Sequence, residues 1–176
     1  MFKNFVCSTL LLIFICVPAL TNSQESVRLG IPVTQADLSG FDLIAPPDGS
    51  GFPPGIGTAR DGKQIYDINC AVCHGASGEG TSGNTVIVGG DMQSEGPPLR
   101  TVGSYWPYAS TLFDFIRRAM PATAPKSLTN QQVYDVTAYI LYMNGIVDED
   151  TPINGETIRK IEMPNANGFI DRSHIQ

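Results

Sequence analysis

Five residues constrain this chain more than any others: Cys70-Ala71-Val72-Cys73-His74, a C-x-x-C-H run. Two thiols three residues apart share one face of a helical turn, and a histidine follows at once. At that spacing both sulfurs reach the vinyl groups of a haem and form thioethers, while the imidazole reaches the iron as proximal ligand. A fold built on such a run must close around a flat apolar disc. Three other uses compete. A thioredoxin-like dithiol opens a helix after a strand, and no βαβ pattern flanks this one. A zinc site needs four ligands, and beyond these three the exported chain offers only the distant His174, with no second paired motif. Two unreactive core thiols would leave the adjacent histidine without a reason.

The first 23 residues decide which cysteines remain. Lys3 precedes an apolar run over 6–20, interrupted by Ser8, Thr9 and Pro18, and then come Thr21, Asn22 and Ser23. That order reads as a secretory signal peptide. The run is short for a membrane span, and Ile15 before Cys16 is too large for a lipid-attachment site. Cleavage would place the mature chain in the periplasm, free of the membrane. Cys7 and Cys16 would leave with the signal, so Cys70 and Cys73 remain and no structural disulfide is available. The full chain carries 17 acidic against 11 basic residues, a net charge of −6, and loss of Lys3 makes it one unit more negative. Such a surface excludes nucleic acid and anionic lipid as partners and suits a basic docking protein.

A chain of 176 residues holds one domain with irregular extensions. Residues 24–57 are rich in Pro and Gly, with Ala45-Pro46-Pro47-Asp48-Gly49-Ser50-Gly51-Phe52-Pro53-Pro54-Gly55 at the centre, and they predict an extended arm without helix. Residues 58–145 form the expected haem domain, and 146–176 an irregular tail. Both extensions are longer than enclosure of one haem requires. Their scattered apolar residues fit a strap on a larger catalytic subunit, or segments folded back on this chain's own core.

Within the haem domain, Thr58 can cap a first helix while Asp61 reaches back to the cap amide. Ile65, Tyr66, Asn69, Cys70 and Cys73 then make one stripe that carries the aliphatic face and both thiols. A Gly-rich passage over 74–103 follows, a length that only a bound disc would order. A second helix is predicted from 110 or 111 to 119, stopped by Pro121. A third is predicted over 130–144, capped by Thr129 and ended by Gly145. The expected fold is therefore all-α, a small class I cytochrome c fold around one covalent haem c.

The sixth iron ligand has five candidates: Met92, Met120, Met143, Met163 and His174. Met120 stands where a helix ends and Pro121 frees the chain, a place that can aim a sulfur, although a methionine there can also pack in a core. Met143 lies on an apolar helix face and reads as core. The carbonyl of Pro97 or Pro98 could take the Nδ1 proton of His74 and orient the ring. Arg100, Tyr105 and Trp106 could hydrogen-bond a haem propionate, or the aromatics could simply pack.

Several longer segments carry a resemblance. They are Gly30-Ile31-Pro32, Asp48-Gly49-Ser50-Gly51, Cys70 to Gly75, Gly96-Pro97-Pro98-Leu99, Thr101-Val102-Gly103-Ser104-Tyr105-Trp106-Pro107-Tyr108-Ala109, Arg117-Arg118-Ala119-Met120-Pro121, Ala138-Tyr139-Ile140-Leu141-Tyr142-Met143-Asn144-Gly145 and Lys160-Ile161-Glu162-Met163-Pro164-Asn165. With them the chain resembles the monohaem cytochrome c subunits of periplasmic sulfite and sulfur-compound dehydrogenases. The resemblance implies His74 and Met120 as the axial pair. It also implies an electron-transfer subunit that is itself a carrier, taking single electrons from a molybdenum-cofactor catalytic subunit and passing them to a downstream cytochrome or oxidase. Two alternatives stand beside that reading. One is a free soluble carrier serving other periplasmic redox enzymes. The other is a haem enzyme or sensor, which needs an open iron position.

Overall fold

The computed structural model describes residues 30–91, 93, 95–97, 99–170 and 172–173. The expected signal peptide over 1–23 lies outside them, as do Met92, Pro98 and His174. The chain divides into two units, Met1–Val33 and Thr34–Gln176; only 30–33 of the first are described, and the following concerns the second.

Five α-helices and no strand occur among the described residues: α1 Gln35–Leu38, α2 Ala59–Asn69, α3 Ala71–His74, α4 Ala109–Ala119 and α5 Asn130–Met143, with a 3₁₀ turn at Ile158–Lys160. The all-helical cytochrome-like fold expected from the sequence is the one observed. Helix α5 forms its centre. Thr129 and Gln132 make a capping box at its start, and every residue from Val133 to Leu141 is buried, the pattern of a helix with neighbours on all sides. Helix α2 crosses it closely because two glycines leave room. A Cβ on Gly62 would lie 2.0 Å from the Asp135 carbonyl oxygen, and one on Gly57 2.4 Å from the Asp135 nitrogen. The Tyr66 and Tyr139 rings meet at 5.3 Å beside this crossing. Helix α4 adds Phe113, whose ring lies 4.5 Å from Tyr134 and 5.0 Å from Phe52. Full burial of Phe113, Leu141 and Ile153 contributes roughly 1.5–3 kcal/mol each.

Helix α2 starts where the sequence places it. The Thr58 hydroxyl accepts from Asp61 N–H at 3.3 Å and donates to the Asp61 carboxylate at 2.9 Å; the carboxylate thus meets the cap hydroxyl, where the cap amide was expected. The stripe expected to run unbroken to Cys73 is interrupted. Cys70, at φ −121°, ends α2 and begins α3, so the thiols stand on a separate turn. Helix α4 begins at Ala109, one residue earlier than predicted.

The arm departs from expectation in two ways. It contains the helical turn α1, because Thr34 and Asp37 cap each other, with Thr34 N–H donating to the Asp37 carboxylate at 2.8 Å. The Pro and Gly residues that argued against helix lie beyond it. The arm also packs on this chain's own helices. Ala45 N–H donates to Asp114 Oδ1 at 2.8 Å, the Arg117 guanidinium donates to the carbonyls of Leu43 (2.9 Å) and Gly51 (3.1 Å), and the Tyr134 hydroxyl donates to the Pro53 carbonyl at 2.8 Å. The tail does likewise: Gly57 and Ile153 exchange two backbone hydrogen bonds of 2.8 Å, and Ile153, Ile158 and Met163 are buried. Residues 43–57 of the arm and the tail thus pack on this chain's own helices, while Leu38, Phe41 and Ile44 of the arm are exposed.

Candidate functional site

Helix α3 is a single turn, and its short length gives the site its geometry. Cys70 precedes it, Cys73 and His74 close it, and Gly75 at φ 81° turns the chain away. The loop then folds back on the turn. Gly80 N–H donates to the His74 carbonyl at 2.7 Å, the Thr81 hydroxyl to the Cys73 carbonyl at 2.8 Å, and the Tyr66 hydroxyl to the Gly75 carbonyl at 2.8 Å. The returning strand of chain sets the Thr85 carbonyl oxygen 2.9 Å from His74 Nδ1. A carbonyl only accepts, so Nδ1 carries the proton and Nε2 is the nitrogen left with a free lone pair. The expected partner was the carbonyl of Pro97 or Pro98. Thr85 fills that role because the glycine turns at Gly78 and Gly80 bring it back under the imidazole, and Pro98 lies outside the described residues.

Cys70, Cys73, His74 and Met120 line one cavity of about 390 Å³, together with Val86, Ile87, Val102, Leu112, Phe115, Ile116, Leu128, Val136 and Ile140 among others. Its volume lies within the ~300–1,000 Å³ of cofactor pockets. Helix α4 supplies Leu112, Phe115 and Ile116 and ends at Met120, whose N–H donates to the Ile116 carbonyl at 3.1 Å. Both cysteines are free and half-buried. Burial, with the neighbouring Cys73 adding to it, pushes the Cys70 thiol up to about 11, so at neutral pH it sits in the apolar wall as an uncharged thiol. Two thiols, a histidine with its outer nitrogen fixed, a thioether and an apolar wall are the donor set that could hold a covalently attached haem. Among the described residues no group of three or more His, Cys, Asp or Glu could hold a bare metal ion.

The other expected site residues divide. Arg100 and Trp106 line the cavity, Trp106 with its ring edge-on to Phe115 at 5.7 Å. Tyr105 does not reach it. Its ring lies 5.3 Å from Phe169 and under the Arg100 guanidinium at 5.0 Å, and its carbonyl accepts from Asn165 at 2.6 Å. Among the other methionines, Met163 is buried in the core and Met143 packs against it at its edge. Sequence reasoning missed Asn84, Thr85 and Thr101. The run of small polar residues after the histidine is the signal that could have marked a loop turning back.

An all-helical fold that gathers these groups around one apolar cavity defines a c-type-cytochrome-like protein. Residues 57–140 match the family described as cytochrome c oxidase, cbb3-type, subunit III. A solved structure, the sulfane dehydrogenase SoxCD from Paracoccus pantotrophus, matches with a TM-score of 0.78 and 36% identity, covering 85% of this chain and 74% of that one. The thiosulfate dehydrogenase of Allochromatium vinosum is 31% identical over 123 residues, 67% of this chain and 40% of the relative. That of Psychrobacter arcticus is 29% identical over 130 residues, 65% and 37% respectively. The chain belongs to the c-type-cytochrome-like proteins related to the thiosulfate and sulfane dehydrogenases. It spans about 40% of the length of the curated relatives it matches. These relatives are named as dehydrogenases in their own right. That overturns the expectation of a separate electron-transfer subunit serving a molybdenum-cofactor sulfite dehydrogenase, and with it the view of the chain as itself only a carrier. The haem-enzyme alternative accords better with them.

Proposed function

We propose that this chain is the haem-bearing portion of a periplasmic dehydrogenase that oxidises a reduced sulfur anion of the thiosulfate or sulfane class. Cys70 and Cys73 would hold one covalent haem c, with His74 Nε2 and Met120 Sδ as the protein donors to its iron, so the sulfur anion would give up its electrons at the haem edge and needs no open iron position. When bound, that group supplies one-electron redox chemistry. The supporting observation is the charge of the cavity. In a chain with 17 acids, no carboxylate is among the described residues that line it, and among them Arg100 is the permanently charged one. With haem in the cavity, a sulfur oxyanion reaching the haem edge beside Arg100 meets no protein carboxylate among these residues.

The chain's own residues have separable tasks. The Thr85 carbonyl keeps the Nδ1 proton in place and strengthens His74 as a donor. Arg100 and Trp106 are assigned to the haem carboxylates. Arg100 has five N–H donors, enough to keep some directed at an incoming anion. Joining two thiosulfates through a new S–S bond releases two electrons and no proton. The electrons leave one at a time to a one-electron acceptor, a downstream cytochrome or oxidase.

Anaerobic mixing of the oxidised holoprotein with thiosulfate tests the reading. Reduction of the haem absorbance is expected, with one thiosulfate consumed per electron and with Arg100→Gln slowing the reaction about tenfold, the loss of one charge-assisted contact. A holoprotein that dithionite reduces and thiosulfate leaves oxidised would sink it.

A further inference from the structure

We infer that Asn144 is a positioning residue for the His74 imidazole, acting through the loop that carries Thr85; this rests on the reading of His74 as the iron ligand. Asn144 is the C-cap of α5. Its Nδ2 donates to the Ile140 carbonyl of its own helix at 2.9 Å and to the Ile87 carbonyl at 3.2 Å, and its Oδ1 accepts from Gly89 N–H at 3.1 Å. Two of these three bonds thus leave the helix and fix the loop at Ile87 and Gly89, two and four residues beyond Thr85. Gly103 closes over the amide: a Cβ there would lie 2.4 Å from Oδ1.

On its other side the same loop is tied to the haem-motif turn. Gly80 and Thr81 bond the carbonyls of His74 and Cys73, and the Gly78 carbonyl accepts from Ile87 N–H at 2.9 Å and Val88 N–H at 3.1 Å. Thr85 stands between the two anchorages, and its carbonyl takes the Nδ1 proton. A side chain with both a donor and an acceptor is needed to satisfy Ile87 and Gly89 together, which an amide provides and a carboxylate or an alkyl group does not. The Nδ1–H to carbonyl bond pushes electron density toward Nε2, so it favours ferric over ferrous iron. Asn144 thereby sets the donor strength of a ligand it does not touch.

Redox titration of the holoprotein, combined with solvent exchange of the His74 Nδ1 proton by NMR in the reduced state, tests this. Asn144→Ala is expected to shift the ferric/ferrous equilibrium about tenfold toward ferrous iron, a rise of ~59 mV, and to speed that proton's exchange about tenfold. Asn144→Asp keeps an acceptor for Gly89 and loses the donation to Ile87; its added negative charge favours ferric iron and opposes the rise in potential, so its readout is the Nδ1 proton exchange, which should quicken, and it serves if the alanine variant does not fold. Ile158→Val, a core truncation on the 3₁₀ turn, should lower the melting temperature and leave both readouts where they were. Unchanged exchange in both Asn144 variants and unchanged potential in Asn144→Ala, with His74 ring resonances still haem-shifted, overturn the positioning role alone. Wild-type His74 resonances that show no haem shift overturn the ligand reading and this inference with it.

Discussion

Asp114→Ala should loosen the arm from α4 and reach the cavity through the helix that ends at Met120. The Asp114 side chain is 14% exposed. It accepts from Ala45 N–H at 2.8 Å and from Arg118 at 3.0 Å. Removal leaves the amide of the buried Ala45 without a partner, a cost of about 1–3 kcal/mol. The Arg118 pair lies four residues along the same helix with its guanidinium side 42% exposed; solvent screening limits it to roughly 0.3–0.5 kcal/mol. About 2 kcal/mol in all lowers the melting temperature of a unit this size by about 4–8 °C. Asp114→Asn isolates the charge, since its amide oxygen can still accept from Ala45. Burial alone would raise the Asp114 pKa, but the hydrogen bonds from Arg118 and Ala45 and the charges of Arg118 and Arg117 outweigh it and hold the carboxyl below its usual range. A depressed folded-state pKa gives stability that is complete above the unfolded value of ~3.9 and is lost as pH falls through the folded value. The gap between wild type and Asp114→Asn should therefore be constant from about pH 7 to 5 and close below about pH 4. Melting curves by circular dichroism across that range read both effects. A melting temperature for Asp114→Ala within about one degree of wild type, or a gap to Asp114→Asn that persists in acid, refutes the reasoning.

Met120→Ala should remove the weak Met-to-iron charge-transfer band of the oxidised holoprotein, while Met143→Ala should leave the band and only loosen packing; absorption spectra of the two decide it. Tyr66→Phe removes the hydroxyl that satisfies the Gly75 carbonyl at 2.8 Å and should cost about 1–2 kcal/mol, read by thermal melting, with the haem still covalently attached by mass.

What the sequence discloses about the fold is what local chemistry decides. Thr58 caps α2 and Thr129 caps α5 because a hydroxyl at a helix start has one use for its lone pairs, and Pro121 stops α4 whatever surrounds it. The break at Cys70 was not legible, since the stripe of Ile65, Tyr66, Asn69, Cys70 and Cys73 continues across it in sequence and a helix bend leaves no mark on composition. The same limit hid Thr85. Every residue offers a carbonyl, so which one lies under His74 depends on how Gly78 and Gly80 turn the loop. Tyr105 and Trp106 are neighbours of similar character, and backbone direction alone sends one to the cavity and the other to Phe169.

The function misread from the sequence has a comparable cause. On the proposed reading, Cys70, Cys73 and His74 hold haem in a way that would serve carriers and catalysts equally, and Met120 would give a redox poise that either can use. What separates the two classes is what can approach the cavity, a property that no local motif carries. In the folded chain the acids at Asp148, Glu149 and Asp150 stand on the tail, two of them paired with Arg60. Asp61 and Asp67 lie on α2 at the cap and opposite Lys63, and Asp114 is committed to Arg118 and the arm. None of these is among the residues lining the cavity, where Arg100 leans on Tyr105. A net negative surface is thus compatible with approach of a small anion beside Arg100, because the acids named here lie away from the cavity.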